Sequence, residues 1–401
     1  MRRRAFIGGA AAPLALIPRV QAEAPRSPGR IKITDVQVIS LRAVKQIGAL
    51  EPAWALGTKM NYAIGGGAFL EIHADNGLVG IGPDVDPAAV PRLRSALVGK
   101  DPFDTEQFLA QYRFHTAPAP QRTTSVDIAL WDLIGKASNQ PVYKLLGAAK
   151  ESVTCYASMV QLSTPEERAR MAVQLADEGW KAIKLRLKYP TVKEDIAVVE
   201  AVRKAIGNRM EILTDANQAG FTPSFLSPRR WDLHRAEVTA QELERLGCYY
   251  LEEPLPQYAF DDLAELCRRV SIPIAGGESN RGFHEFFWMM QKGAYDIIQP
   301  EVLNSGGITG LRKIAAVAEA FNKYVIPHNG GMRIGNVAHL HLVASWPNGP
   351  YLEVLHDPPV GDYRHNWAIF KNPPVIEKGE IRMPQAPGLG VEIDPGLIQK
   401  G

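Results

Sequence analysis

Between residues 153 and 354 the chain repeats one theme eight times: a short apolar run of strand length, then a stretch of helix length. The strand-like runs are 153–158, 182–187, 210–214, 249–251, 272–275, 296–299, 324–327 and 351–354. Amphipathic segments such as "TPEERARMAVQLADEG" and "VKEDIAVVEAVRKAIG" separate most of them. Eight such units in series predict an α/β fold closed into a (β/α)8 barrel, rather than an open doubly wound sheet. The last unit is the least regular, because "RIGNVAHLHLVASW" must supply its helix.

Three acids stand where successive runs end: Asp215 in "EILTDANQ", Glu252 in "YYLEEPLP" and Glu278 in "IPIAGGESN". The intervals of 37 residues (215 to 252) and 26 residues (252 to 278) are each close to one strand–helix–strand unit. The three are therefore neighbours at the C-terminal face of a parallel barrel, where active sites form. Carboxylates gathered there repel one another unless a cation holds them. Hard oxygen donors, one per strand with room for water, suit Mg2+ better than Zn2+ or Ca2+. The alternative is three helix caps or surface acids.

The remainder of the chain is organised differently. A length of 401 residues fits a barrel of about 250 residues plus a second module. Residues 32–82 are strand-like, with Asp75-Asn76-Gly77 as a hairpin turn in "GGAFLEIHADNGLVGIG". Between the strands, "KQIGALEPAWALGTKMNYAIGGG" has no period and is expected to be a long loop, a lid or binding loop carrying Trp54 and Tyr62. Residues 86–147 are helical, with one apolar stripe of Val126, Ala129, Leu130, Leu133 and Ile134, and a break at Asn139-Gln140-Pro141. Strands followed by helices predict an α+β module over 31–150. The Pro/Gly-rich tail 356–401 is expected to return to that module and complete it.

The apolar share of 46% and net charge of +2 are ordinary for a globular protein and give no electrostatic case for nucleic acid or a membrane surface. Cys155, Cys248 and Cys267 are too few and wrongly spaced for a disulfide framework or a zinc site. The N-terminus, "MRRRAFIGGAAAPLALIPRVQAEAP", has a basic start, a run of small apolar residues and an A-x-A-like site at Val20-Gln21-Ala22. Arg3-Arg4-Ala5-Phe6-Ile7 fits the twin-arginine pattern, so residues 1–22 read as a signal recognised by the twin-arginine export machinery, with a periplasmic mature chain. An ordinary secretory signal or an uncleaved anchor is the alternative, although Pro13 and Pro18 interrupt the run too early for a spanning helix.

With "SVDIALWDLIGKASNQPVYKLLG", the Asp/Glu/Glu set, "QPEVLNSGGITG" and His328 in "VIPHNGG" in view, the chain resembles the mandelate racemase subgroup of the enolase superfamily. The resemblance implies a modified (β/α)8 barrel under an α+β capping domain, and a homo-oligomer. It implies Mg2+ on Asp215, Glu252 and Glu278. It also implies removal of the proton α to a carboxylate, giving an enediolate that the metal stabilises. The family usually carries Lys-x-Lys where this chain has Lys184-Leu185-Arg186, the second Lys being a base. A guanidinium seldom yields a proton and is better suited to gripping an oxygen. On the other side, His328 ends the seventh strand, and the acid that orients it, normally Asp, is Glu301 here. Glu353 matches a position that donates a hydrogen bond to the substrate carboxylate, for which it must be protonated. Asn217 and Glu253 are expected to support the metal ligands, and Trp54 and Tyr62 to touch the substrate.

Racemisation needs a competent group on each face of the α-carbon. With Arg186 on one face, His328 and Glu301 point instead to elimination: Mg2+-dependent dehydration of an acid sugar, an aldonate or aldarate, to a 2-keto-3-deoxy acid. A racemase, epimerase or lactone cycloisomerase acting through the same enediolate is the second reading. A non-catalytic periplasmic binding protein is the third.

Overall fold

A computed structural model of the chain describes residues 30–113, 123–220 and 230–399. The expected export signal and its cleavage position lie outside the described residues.

Eight parallel strands run in chain order: β6 (Ser152–Ser158), β7 (Ala182–Arg186), β8 (Glu211–Asp215), β9 (Tyr250–Glu252), β10 (Ile274–Gly276), β11 (Ile297–Ile298), β12 (Tyr324–Val325) and β13 (Leu352–Leu355). They pair in sequence from β6 to β12, and β13 returns to β6, which is the strand order of the expected barrel. The strand runs are apolar almost throughout because both faces are covered, by helices outside and by interior side chains within. Ile183, Leu185 and Leu187 of the second unit pack in one core with Val199, Val202 and Ile206 of the helix Val192–Ile206. Thr164 and Thr191 start the first two barrel helices with reciprocal capping boxes to Glu167 and Glu194, so chain polarity reverses within a few residues of each strand.

Before the barrel come β1 (Ile33–Ser40), β2 (Ala43–Leu50), β3 (Met60–Gly65), β4 (Ala68–Ala74) and β5 (Val79–Pro83). Strands β1, β4 and β5 form an antiparallel sheet, and the β4–β5 turn holds Gly77 at φ 81°, as the Asn-Gly pair requires. The helix Thr123–Ala137 lies on that sheet with its predicted stripe buried.

The stretch expected to be an aperiodic loop is instead the antiparallel hairpin of β2 and β3, with only its tip irregular. Most of β2 is exposed, so no apolar alternation is needed, and two register shifts break the period further. Tyr62, on β3, is 1% exposed and packs with Leu50, Val160 and Leu355. It is a core residue behind the cavity described below, not a substrate contact.

Two acids of "SVDIALWDLIGK" join the modules. Asp127 accepts from the Thr309 amide at 3.0 Å and its hydroxyl at 2.5 Å, while Trp131 Nε1 donates to the same hydroxyl oxygen at 2.8 Å. A Cβ on Gly307 would lie 2.4 Å from Asp127, so the glycine of "NSGGITG" is a condition of this contact. Asp132 accepts from Ile81 N in β5 at 2.8 Å and from Leu389 N in the tail at 2.7 Å. The tail does return to the capping module, with Arg42 N donating to Leu397 O and Gln399 N to Ser40 O. It also does something unforeseen. Strands β14 (Ile376–Glu377) and β15 (Glu380–Arg382) form a hairpin, and β15 adds antiparallel to barrel strand β6. The tail therefore belongs to both modules.

His341 on the helix Ile334–Ser345 is buried, with Nδ1 accepting from Tyr143 N at 3.1 Å and Nε2 donating to Leu389 O at 2.9 Å. Burial holds its pKa down at about 4, against the ordinary imidazole value of 6.5. Between those values the unfolded chain binds a proton that the folded chain refuses, so stability falls as pH drops from about 6.5 towards 4, by roughly 3 kcal/mol for this group. Urea unfolding of the wild type and His341→Gln at several pH values checks this. The variant loses stability near neutrality, and the gap narrows towards pH 4; a gap independent of pH refutes it.

Candidate active site

Register places the polar residues at one end of the barrel. Arg186 on β7 is paired with Asp215 on β8, and Asp215 with Glu252 on β9; Ser158 on β6 is paired with Lys184. Alternation along β7 turns Lys184 and Arg186 to the interior and Leu185 to the helices. Glu278 follows the end of β10 after Gly277, which sits at φ 121°. Past the assigned ends of β11 and β12, His328 N still donates to Pro300 O at 3.2 Å, which sets Glu301 and His328 side by side. A cavity of about 450 Å³ opens over this end, lined by Arg186, Asn217, Glu253, Glu278, His328, Asn329 and Met332 of the barrel and by Trp54 and Met60 of the preceding module.

Lys184 is fully buried. Its Nζ lies 2.7 Å from Glu353, 3.0 Å from Glu252 and 3.5 Å from Asp215. Burial alone would lower its pKa, but Glu252 and Glu353 raise it well above the ordinary lysine value, so it stays an ammonium. Arg186 is committed to the protein itself. Its Nε donates to Met159 O at 2.7 Å, one Nη to Ser158 Oγ at 3.0 Å, and the other to Asp215 Oδ2 and, at 3.4 Å, Asn217 Oδ1. Trp54 covers its planar face at 4.8 Å. Burial opposes the charge, and Asp215 more than restores it, so this guanidinium is no base. Nor is it the free substrate clamp expected from sequence, since its hydrogen-bonding edges are already occupied.

The Glu301–His328 pair forms despite the extra methylene. His328 Nδ1 is 2.8 Å from Glu301 Oε2, which also accepts from Gly330 N at 3.0 Å, while Oε1 accepts from Leu303 N at 3.0 Å. These donors hold Glu301 below the usual carboxylate range against the effect of burial. His328 Nε2 points at Glu278, 3.3 Å away. Burial would lower the imidazole pKa, but Glu278 and Glu301 push it well above 6.5.

Asp215, Glu252 and Glu278 reach adjacent strand ends, as predicted. They do not converge on one point: among the described residues no three His, Cys, Asp or Glu side chains form a metal-holding group. Their oxygens face Lys184, Arg186 and His328 instead. The donor set nevertheless fits a hard divalent cation. Asp215 and Glu252 are fully buried and Glu278 is part-buried beside them, and desolvation together with repulsion from Asp215 pushes Glu252 up to about 8 and Glu278 above its ordinary value. Asn217, with φ 47°, orients Asp215 as expected, through N–H at 2.8 Å and Nδ2 at 3.1 Å.

Two expected roles need correction. Glu253 makes no hydrogen bond to a predicted ligand; its Oε1 is buried, without a partner, in a residue that lines the cavity. Glu353 is not the protonated donor that the resemblance implies. Burial favours that form, but Lys184 at 2.7 Å overrides it and holds Glu353 well below the usual range, as a carboxylate that accepts from Asn329 N at 3.0 Å. Sequence reasoning passed over Ser158 and Asn329. Both were available to the rule used for the acids: Ser158 ends the first strand, and Asn329 follows His328.

The chain matches the family descriptions "Mandelate racemase / muconate lactonizing enzyme, N-terminal domain" over residues 55–147 and "Enolase C-terminal domain-like" over residues 167–397. It is 29% identical to the arabinonate dehydratase of Saccharolobus solfataricus over 82% of this chain and 89% of that protein. It is 31% identical to the D-galactarolactone cycloisomerase of Agrobacterium fabrum over 81% and 89%. The crystal structure of a D-glucarate dehydratase from Agrobacterium tumefaciens complexed with magnesium superposes with a TM-score of 0.77 at 27% identity, covering 93% of this chain and all (100%) of that one.

Replacing Arg186 with Leu strips Asp215, Ser158 and Met159 O of a buried partner and lowers unfolding free energy by about 3–5 kcal/mol. Arg186→Lys costs less, because an ammonium keeps the charge beside Asp215 without the fork. Denaturant titration ranks the three proteins, and equal midpoints exclude the clamp.

Proposed function

This chain belongs to the mandelate racemase/muconate lactonizing enzyme family of the enolase superfamily, and from that premise we propose that it dehydrates an acid sugar, an aldonate or aldarate, to a 2-keto-3-deoxy acid. The observation that carries the proposal is the asymmetry of the proton-transfer groups. His328, paired with Glu301 at 2.8 Å, lines the cavity with its side chain 27% exposed, whereas Lys184 is fully buried and Arg186 spends its hydrogen-bonding edges on Met159 O, Ser158, Asp215 and Asn217.

Asp215, Glu252 and Glu278 are the residues to hold Mg2+, which when bound supplies Lewis-acid stabilisation for charge developing on the substrate carboxylate. With Glu278 committed to a cation, its pull on the His328 imidazolium would weaken, and Nε2 would be the atom to accept the α-proton. Glu301 keeps the ring oriented through Nδ1 and stabilises the imidazolium that forms. The same Nε2–H then protonates the departing β-hydroxyl, which leaves as water, and the enol product tautomerises to the 2-keto acid. Lys184, fully buried beside Glu252 and Glu353, supplies a fixed positive charge behind the carboxyl groups of the site. Relatives that dehydrate arabinonate, galactonate or xylonate support this chemistry. A lactone cycloisomerase is the second reading, supported by the galactarolactone relative. The Arg3-Arg4 segment supports export to the periplasm by the twin-arginine route, and the family supports a homo-oligomer.

Purified protein with Mg2+, screened against aldonic and aldaric acids by 1H NMR in D2O, yields a 2-keto product that EDTA abolishes and that His328→Asn reduces by about 100-fold or more. Exchange or ring closure without keto product moves the chain to the isomerases. Because Glu301 raises the His328 pKa, Glu301→Gln shifts the acidic limb of the kcat/KM profile to lower pH. An unmoved limb removes the dyad from the mechanism.

A further inference from the structure

His339 is a buried titratable group that the mechanism leaves unused. It lies on the helix Ile334–Ser345 beside the core residues Val337, Ala338, Leu340 and Leu342, and is itself fully hidden from solvent. Burial holds its pKa down at about 4, so near neutrality the imidazole is uncharged and has one ring nitrogen able to accept a hydrogen bond. That nitrogen is Nε2, which accepts from Val302 N at 3.0 Å. The proton is therefore on Nδ1, which has no hydrogen-bond partner among the described residues. As packing alone an imidazole is a poor choice, because an apolar side chain of similar volume brings no N–H to satisfy. What it supplies, and a hydrocarbon does not, is an acceptor for one backbone amide.

That amide adjoins Glu301. The peptide plane containing Val302 N–H also contains the Glu301 carbonyl, so holding it fixes the ψ of Glu301 and the direction in which its side chain leaves the backbone. The Glu301 carbonyl accepts from Asn304 N at 2.9 Å and Ser305 N at 3.0 Å, which closes the turn. From there Oε1 accepts from Leu303 N at 3.0 Å, and Oε2 meets His328 Nδ1 at 2.8 Å. One turn earlier on the same helix, Asn336 Nδ2 donates to Asn329 O at 2.7 Å, one residue past His328. The helix thus grips the backbone beside each member of the pair. We propose that His339 is a positioning residue for the proton transfer, an acceptor behind Glu301 that sets its carboxylate on His328 Nδ1. The tautomer of His328 follows from that bond, since Nδ1–H on the carboxylate leaves Nε2 as the nitrogen that takes and returns a proton. The proposal rests on the reading of His328 and Glu301 as the proton-transfer pair.

Two substitutions in the full, Mg2+-loaded protein test it. His339→Gln keeps an acceptor through its amide oxygen, and His339→Leu keeps the volume without one. One readout needs no substrate: the downfield 1H NMR resonance of the His328 Nδ1–H proton, identified by its loss in His328→Asn. The other is steady-state kinetics on the acid sugar found by the screen above. His339→Leu shifts or abolishes the resonance and lowers kcat roughly 10- to 100-fold while KM stays within about 2-fold, because a misplaced carboxylate weakens the transition state and not substrate binding. His339→Gln keeps the resonance and holds kcat within about 3-fold of the wild type. A His339→Leu protein that is less stable to urea yet keeps both resonance and kcat shows the imidazole to be packing alone and overturns the proposal. A folded His339→Gln protein that loses both also overturns it, and this variant decides the matter where His339→Leu does not fold. If the resonance responds as expected but the wild type turns over no acid sugar, positioning of the pair stands and the dehydration reading falls.

Discussion

Crowded negative charge at the C-terminal end of the barrel governs the rest of the structure. Asp215, Glu252, Glu253, Glu278, Glu301 and Glu353 occupy a region where most side chains are hidden from solvent, answered by Lys184, Arg186 and His328. Carboxylates in a low-dielectric space are tolerated only with close opposite charge. That requirement dictates the shape of the site. Lys184 sits among three acids, Arg186 ties the ends of β6, β7 and β8 together, and His328 spans Glu278 and Glu301. The imbalance that remains is also what makes the strand ends attractive to a divalent cation.

Such a site has to be roofed, and the chain roofs it with buried carboxylates used as structural acceptors. Asp127 and Asp132 lie five residues apart on one helix and face opposite ways, Asp127 to barrel Thr309 and Asp132 to β5 and the tail. Each satisfies backbone amides that would otherwise be buried unpaired, so the capping module is held in one orientation by directional bonds as well as by apolar contact. That orientation carries the β2–β3 tip over the barrel mouth and lays Trp54 on Arg186. The placement of Trp54 in the cavity lining thus depends on contacts well away from it.

Much of this was legible in the chain. All eight barrel strands fall on the apolar runs, because a strand covered on both faces must be apolar throughout. The three acids, Lys184, Arg186, Glu301 and His328 fall together because each lies at or just beyond the C-terminal end of a barrel strand, or one alternation before it. The β2–β3 hairpin was illegible for the converse reason: exposed on most positions, it leaves no apolar period to read. Tyr62 was misplaced with it. Glu353 was misjudged because a carboxyl's charge state depends on its nearest partner, and Lys184, 169 positions away (353 − 184), is a neighbour only after the barrel closes.

By itself, then, the amino-acid order determined the barrel, its capping module, the end of the barrel at which chemistry occurs and the residue types gathered there. All of these follow from periodicity and from position within a repeated unit, which are local properties of the chain. Only the tertiary structure decided that Arg186 is held by the protein, that Glu301 reaches His328 despite its added methylene, that Glu353 is paired with Lys184, and that Glu253 and Asn329 keep unpartnered oxygens in the lining of the cavity. Those outcomes depend on distances of about 3 Å between residues remote in sequence, and electrostatics in a buried site changes sign or strength over that length.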